Sequence, residues 1–394
     1  MKTQTRNIYC MYAIALLQGM VFYGPIATLY RQAKGVSVLQ ITIIESVSLA
    51  LCLLLEFPWG ILADKIGYKK TILLCNILYF LSKIVFWKAS GFPAFLLERI
   101  IISIVIAGLS GVDTALLYLS CKGQEGHSRY PSVQEKSQHV FGIYNSLQTA
   151  GLFIAALVFS SAVGEDYSLA ALLTVISYGM AALFSFGLIE VKSQKTGQDF
   201  HRFILLLKQS LTDKYLLLFL IGIALLNETH QTITVFLNQL QYVKCGLSSS
   251  VIGYIYIAAA MAGLCSALSL KLTKKLGTAP TAILLFASAS IACLILAWTD
   301  KAWLSVLGIL TLRISFSLIQ PLQTELQNRQ ITTNDRATAL SINAVIIDSV
   351  GIGSNLAFGN LAQHNLAGSF LFGAILCSIG GLFFFLWYRK KYSW

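Results

Sequence analysis

Twelve stretches of mostly apolar residues follow one another along this chain, each long enough for a helix to cross a bilayer, which takes about 20 residues. They run over 7–30, 38–62, 71–90, 93–120, 138–163, 167–190, 214–241, 248–272, 279–298, 302–327, 337–362 and 366–388. Strands of a membrane barrel would alternate in polarity over about 10 residues. The runs Ile100–Leu109 and Ala279–Ala297 do not alternate. In lipid every backbone group needs an internal partner, so helices remain. Charged residues make up 12% of the chain, against about 25% in a soluble domain, and mean hydropathy is +0.71. The bilayer is therefore the expected solvent, and soluble enzymes and free nucleic-acid binders are excluded. The eight cysteines form no CxxC or zinc spacing and read as apolar filler, so no metal and no cofactor is expected.

Charge placement sets an orientation. Of 29 Lys and Arg, 21 fall in the N-terminus, alternate loops and the C-terminal tail. Five fall in the opposite loops, and Lys83, Arg99 and Arg313 lie within spans. The positive-inside rule then predicts a multi-pass protein of the cell (inner or plasma) membrane with both termini cytoplasmic. The net charge of +12 becomes a topology signal with attraction to anionic lipid rather than a nucleic-acid footprint. The first span is longer than a secretory h-region and lacks a small-residue cleavage site, so it is expected to stay as an anchor.

A polar, basic segment over 191–214 divides the chain, with six spans on each side. The expected organisation is an N-terminal six-helix bundle over 1–190, a cytoplasmic linker over 191–214 and a C-terminal bundle over 215–394. Equal halves point to an internal repeat of the kind transporters carry. One local echo supports it. Gly67, after the second span, and Gly277, after the eighth, each stand beside basic residues.

The segment Gly60-Ile-Leu-Ala-Asp64-Lys-Ile-Gly67-Tyr-Lys69-Lys70 resembles the signature of the major facilitator superfamily, roughly G-x-L-A-D-R-x-G-R-K between the second and third spans. Lys65 replaces an arginine conservatively; Tyr68 departs from the pattern. The resemblance implies an all-α integral membrane fold with 12 transmembrane helices in two pseudo-symmetric six-helix bundles around a central cavity. It also implies that Gly60, Asp64, Gly67, Lys69 and Lys70, with Glu56 nearby, form a cytoplasmic gate. Arg99 fits the arginine that members carry early in the fourth span. The fifth span lacks the G-P-x-x-G-G run of many drug antiporters.

A charged side chain at the bilayer centre costs about 2.5–3.5 kcal/mol, so buried charges mark candidate sites. Glu228 lies mid-depth in the seventh span, about 20 Å from either end at 1.5 Å per residue. Desolvation there disfavours the charged form, which makes it the leading proton site. His230, two residues on, faces another way. Asp113 sits in a small-residue polar patch of the fourth span, and Asp348 is mid-depth in the eleventh. Glu45, Glu98 and Glu325 lie nearer span ends, where water reaches them, and read as structural. Arg99 and Arg313 are candidate counter-charges. Gln18, Tyr23, Asn145, Gln148, Asn227, Gln320 and Gln323 complete the expected cavity lining. Mid-depth acids outnumber mid-depth bases, which leans toward cationic or neutral amphiphiles.

The sequence therefore predicts a secondary transporter working by alternating access, a proton-coupled exporter (antiporter) of a small amphiphilic, drug-like molecule. The alternative is proton-coupled uptake of a small polar metabolite, which the missing fifth-span run favours. A membrane enzyme would need an acid or histidine constellation at one interface, and none is present. No G-x-x-x-x-G-K-[ST] loop points to ATP. Expected partners are the solute, protons and lipid, with the chain acting as a monomer.

Overall fold

In a computed structural model of the chain, the described residues are 3–122, 133–191, 200–330 and 336–392. Within them, the side chains of residues 3–4, 57, 60–61, 64, 133–135, 200–203, 205–206, 336–338 and 392 lie outside the description. Twelve helices among the described residues are long and apolar enough to span a membrane. They are Thr5–Ala33, Val38–Glu56, Tyr68–Lys88, Gly91–Lys122, Lys136–Val163, Tyr167–Phe186, Lys214–Lys244, Ser249–Leu276, Thr278–Trp298, Ala302–Gln330, Ala339–His364 and Leu366–Lys391. The chain is an all-α, multi-pass membrane protein.

Five spans are not single uniform helices; the fifth ends in a π-helical stretch, Phe159–Val163. The first is interrupted after Gly19 and resumes as a short 3₁₀ turn, Gly24–Ile26, with Pro25 inside it. Proline lacks an N–H and suits a helix start, so the break falls where that donor is not needed. The fourth runs Gly91–Leu109, breaks, and restarts as Val112–Lys122. Gly111 takes φ 76° at the break, a conformation that favours glycine. The seventh carries a π-helical stretch, Thr232–Leu237, and the eighth a 3₁₀ stretch, Gly263–Leu268. Such irregularities concentrate at functional positions in membrane helices.

Contact density divides the chain into two units. One comprises Met1–Gly35 with Ala50–Gln198; the other comprises Val36–Leu49 with Asp199–Trp394. Within the first unit, the first span packs on the fifth and sixth, and the third on the fourth and sixth. Within the second, the seventh packs on the eleventh and twelfth, and the ninth on the tenth and twelfth. The same pairings recur six spans later. Gly67 and Gly277 share a backbone conformation too, φ 93°, ψ 153° and φ 90°, ψ 164°, each starting a helix.

Residues 36–49 group with the second unit because their contacts lie on the eleventh span. Ser46 Oγ donates to Ile352 O at 3.2 Å, and Gly359 leaves room for Thr42. Three other expectations change. The segment 191–214, read as a polar loop, contains a helix, Phe200–Thr212, because the run Phe203–Leu207 is apolar. Asp213 then accepts from Tyr215 N and Leu216 N and starts the seventh span. Glu98, expected within reach of water, is 1% exposed and pairs with Arg31 at 3.9 Å. The first span extends to Ala33, so Arg31 lies on a helix rather than in a loop and covers that carboxylate.

Candidate functional site

In the first unit, Gly19 and Gly151 bring the first and fifth spans into backbone contact. A Cβ at Gly19 would collide with Gln148 O, and one at Gly151 with Leu16 O. This crossing sets Gln18 and Gln148 on the wall of a pocket of about 380 Å³. The third span adds Asn76 and Tyr79, the fifth adds Tyr144 and Asn145, and the broken fourth adds Ser110, Gly111, Asp113 and Thr114.

Gln18 Nε2 donates to Asn76 Oδ1 at 2.5 Å, while Asn76 Nδ2 donates to Ile72 O at 3.0 Å. Asn76 is thus oriented by its own helix and presents its oxygen to Gln18. Tyr144 Oη donates to Asp113 Oδ2 at 3.2 Å, and Asp113 Oδ1 accepts from Thr114 N at 2.6 Å. Asp113 stands in the first turn of the restarted helix, where the helix dipole favours an acid. Of the residues expected from sequence, Gln18, Asp113, Asn145 and Gln148 meet here. Arg99 does not line the pocket. Tyr23 does not line it either; it stacks on Phe86 with ring centroids 4.0 Å apart and accepts from Lys83 Nζ at 2.9 Å.

The second unit holds three clusters around the seventh span. Asn227 Nδ2 donates to Gln323 Oε1 at 3.3 Å, and Gln320 Nε2 reaches Asn227 Oδ1 at 3.5 Å. Glu228 turns instead toward the eleventh span. It is 7% exposed, and a Cβ at Gly351 would stand 2.6 Å from its carboxyl carbon. Its Oε2 is buried with no hydrogen-bond partner, and Asp348, one turn before Gly351, is close enough to repel it. His230 faces the tenth span. Its ring stacks on Phe316 at 3.7 Å, and Nε2 lies 3.3 Å from Arg313 Nη1 and 3.1 Å from Thr234 Oγ1. Arg313 can only donate, so Nε2 accepts from it and the hydrogen sits on Nδ1, while Thr234 Oγ1 donates to His230 O at 2.8 Å. Arg313 fits because Gly263 has no side chain; a Cβ there would stand 3.1 Å from Nη2.

In the segment resembling the gate signature, Glu190 closes on Gly67. Its Oε1 accepts from Lys69 N at 3.3 Å, and a Cβ at Gly67 would stand 2.6 Å from Oε2. An acid here complements the positive start of the third span. Lys70 and Glu56 are exposed, whereas Gly60 and the Asp64 side chain lie outside the description. No group of metal-ligating residues is found among the described residues.

Sequence reasoning missed Asn76, Tyr79, Tyr144 and Glu190. Asn76 and Tyr79, three residues apart on the third span, carry the one available signal: polar side chains that share a helix face with Lys83.

No curated protein sequence matches the chain. Its fold is similar to solved structures. The nucleoside transporter NupG aligns with a TM-score of 0.80 at 14% identity, over 99% of this chain and 100% of that one. A bacterial homolog of the human lysosomal transporter Spinster gives 0.71 at 16%, over 99% and 98%. The human organic anion transporter MFSD10 gives 0.58 at 16%, over 98% and 100%. At such identities the likeness is one of fold. The family model of the Major Facilitator Superfamily, however, matches residues 8–355, which takes in the second to tenth spans whole and most of the first and eleventh. This chain, a secondary carrier rather than an enzyme, belongs to the Major Facilitator Superfamily.

Proposed function

We propose that the chain carries a small polar solute by alternating access, coupled to protons through Glu228. The observation that carries the substrate class is the pocket of the first unit. Its amides, Gln18, Asn76, Asn145 and Gln148, offer donors and acceptors at fixed positions, with Asp113 and Thr114 beside them. A volume of about 380 Å³ lies in the range of small-molecule sites. A nucleoside has matching features: hydroxyls, a heterocycle with polar edges, and a flat face for Tyr79 or Tyr144. A similar fold belonging to a nucleoside transporter agrees with that choice.

The second reading is export of a drug-like amphiphile. The apolar part of the lining, Met11, Ile14, Ile72, Ile106 and Leu109, favours it. The lining amides argue against it, because covering Asn145 and Gln148 with an apolar ligand would take their polar ends out of water at about 1–3 kcal/mol each. Uptake is the direction we propose, with the chain acting as a monomer in the cell (inner or plasma) membrane and both termini cytoplasmic.

Purified protein in liposomes, with an inward proton gradient, separates the two readings. Uridine uptake is expected, with no ethidium flux. Asn76→Ala should lower uridine flux by about tenfold, because Gln18 Nε2 loses its acceptor. Ethidium flux that Asn76→Ala and Gln148→Ala leave unchanged would replace the polar-solute reading with the amphiphile one.

We assign gating to Gly60, Asp64, Gly67, Lys69, Lys70 and Glu56, and add Glu190. Glu190→Gln removes a charge worth about 0.3–1 kcal/mol at a helix start. It should slow transport severalfold at unchanged expression. An unaltered rate removes Glu190 from the gate.

A further inference from the structure

The third span presents Asn76, Tyr79 and Lys83 on one face. The first two line the pocket; Lys83, one turn further, lies behind Tyr79 and is 5% exposed. Its ammonium sits among three tyrosine rings, with centroids at 5.6 Å (Tyr23), 5.1 Å (Tyr79) and 5.0 Å (Tyr178). These rings come from the first, third and sixth spans, and each is held in place. Tyr23 stacks on Phe86, Tyr178 Oη donates to Gln18 O at 2.9 Å, and Tyr79 meets Tyr178 edge to face at 4.9 Å.

No ion pair of Lys83 is found among the described residues. The acid that attracts it, Glu98, is paired with Arg31, and Arg31 and Arg99 repel it. The rings of Tyr79 and Tyr178 and the hydroxyl of Tyr23, rather than a carboxylate, therefore surround the ammonium. Aromatic faces arranged around an ammonium are how proteins recognise organic cations. Here the occupant is covalently tethered.

We propose that the cage of Tyr23, Tyr79 and Tyr178 holds Lys83 as a built-in cation, and that this charge offsets the attraction of the lining acid Asp113 and so disfavours organic cations in the adjoining pocket, leaving it to neutral solutes. The exclusion rests on the reading of that pocket as the solute site; the cage does not. A second cation within about 8 Å would be disfavoured about thirtyfold at an effective dielectric near 20. Lys83 is then a specificity-determining residue, and the cage a cation site closed by its own side chain.

The test uses the purified full-length protein in detergent. Lys83→Met keeps the stem and removes the charge. Choline, titrated calorimetrically against sodium chloride at matched ionic strength, should bind this variant at least about tenfold more tightly than wild type. Lys83→Arg should exclude choline as wild type does. Lys83→Ala empties the cage, and ethylammonium should raise its unfolding midpoint saturably while ethanol does not. Choline binding no tighter in the Met variant than in wild type overturns the exclusion. Ethylammonium acting on a folded Ala variant no more than sodium does overturns the cage. Should the Ala variant fail to fold, the Met and Arg variants decide. Rescue by ethylammonium, with uridine flux untouched by the pocket substitutions, sustains the cage and removes only the solute-site reading.

Discussion

Glu228→Gln is expected to abolish proton-driven accumulation while leaving exchange of solute for solute intact. With one proton per cycle, wild type should concentrate its solute about tenfold for each unit of imposed pH difference, since a tenfold ratio and one pH unit are both about 1.4 kcal/mol. The variant should stop at equal concentrations. The reason lies in the surroundings of the carboxyl. A charge buried without compensation costs several kcal/mol. Glu228 has no cation paired with it among the described residues, one oxygen has no partner, and Asp348 adds repulsion. Gly351 packs against the carboxyl so closely that no side chain could fit between. A small rearrangement of the seventh span against the eleventh would change what the carboxyl faces and so link protonation to conformation. Glutamine keeps the shape and removes the titration. The measurement is solute accumulation in liposomes against imposed pH difference, with counterflow as the control. A variant that accumulates as wild type does moves the coupling site elsewhere.

The second large effect concerns two glycines on one helix. Gly142 and Gly151 both belong to the fifth span. A Cβ at Gly142 meets nothing within 4 Å, whereas at Gly151 it runs into Leu16 O and comes within 3.0 Å of Gly19 Cα. Gly142→Ala should leave stability unchanged or raise it by up to about 1 kcal/mol, the helix preference for alanine. Gly151→Ala should lower it by about 1–3 kcal/mol, the range for overpacking, because the opposing atoms are backbone and cannot rotate away. It should also displace Gln18 and Gln148 and so impair transport. Thermal unfolding of the two variants in the same detergent gives the comparison. Shifts of equal sign and size would mean that the crossing of the first and fifth spans is looser than described.

All twelve spans and their type were legible because length and apolar content alone select a membrane helix. The interruptions were harder. Ser110-Gly111 carries a glycine, but many membrane glycines sit in unbroken helices, as Gly142 does. The face turned by each residue of Asn227-Glu228-Thr229-His230 followed from helical geometry, and Glu228 and His230 do face different neighbours. What those neighbours are did not follow, because the eleventh and tenth spans are distant in sequence.

Lys83 is the clearest omission. The sequence shows it only as a charge inside a span, since its partners are the tyrosines at positions 23, 79 and 178. Only Tyr79, four residues away, could be paired with it from spacing. That omission also weighed on the substrate class. Mid-depth acids favour cations, and Asp113 does line the pocket, whereas Lys83 behind Tyr79 opposes it.

The recurring pairing order has a consequence for what each half can hold. Where the first span crosses the fifth, glycine meets backbone and amides line a pocket; where the seventh crosses the eleventh, glycine meets a carboxyl. If two identical chains had to assemble this architecture, any change at that crossing would appear in both. Joined in one polypeptide, each copy is free to drift alone. One crossing can then hold hydrogen-bonding groups still while its counterpart carries an ionisable group, a division of labour open only to halves of unlike sequence.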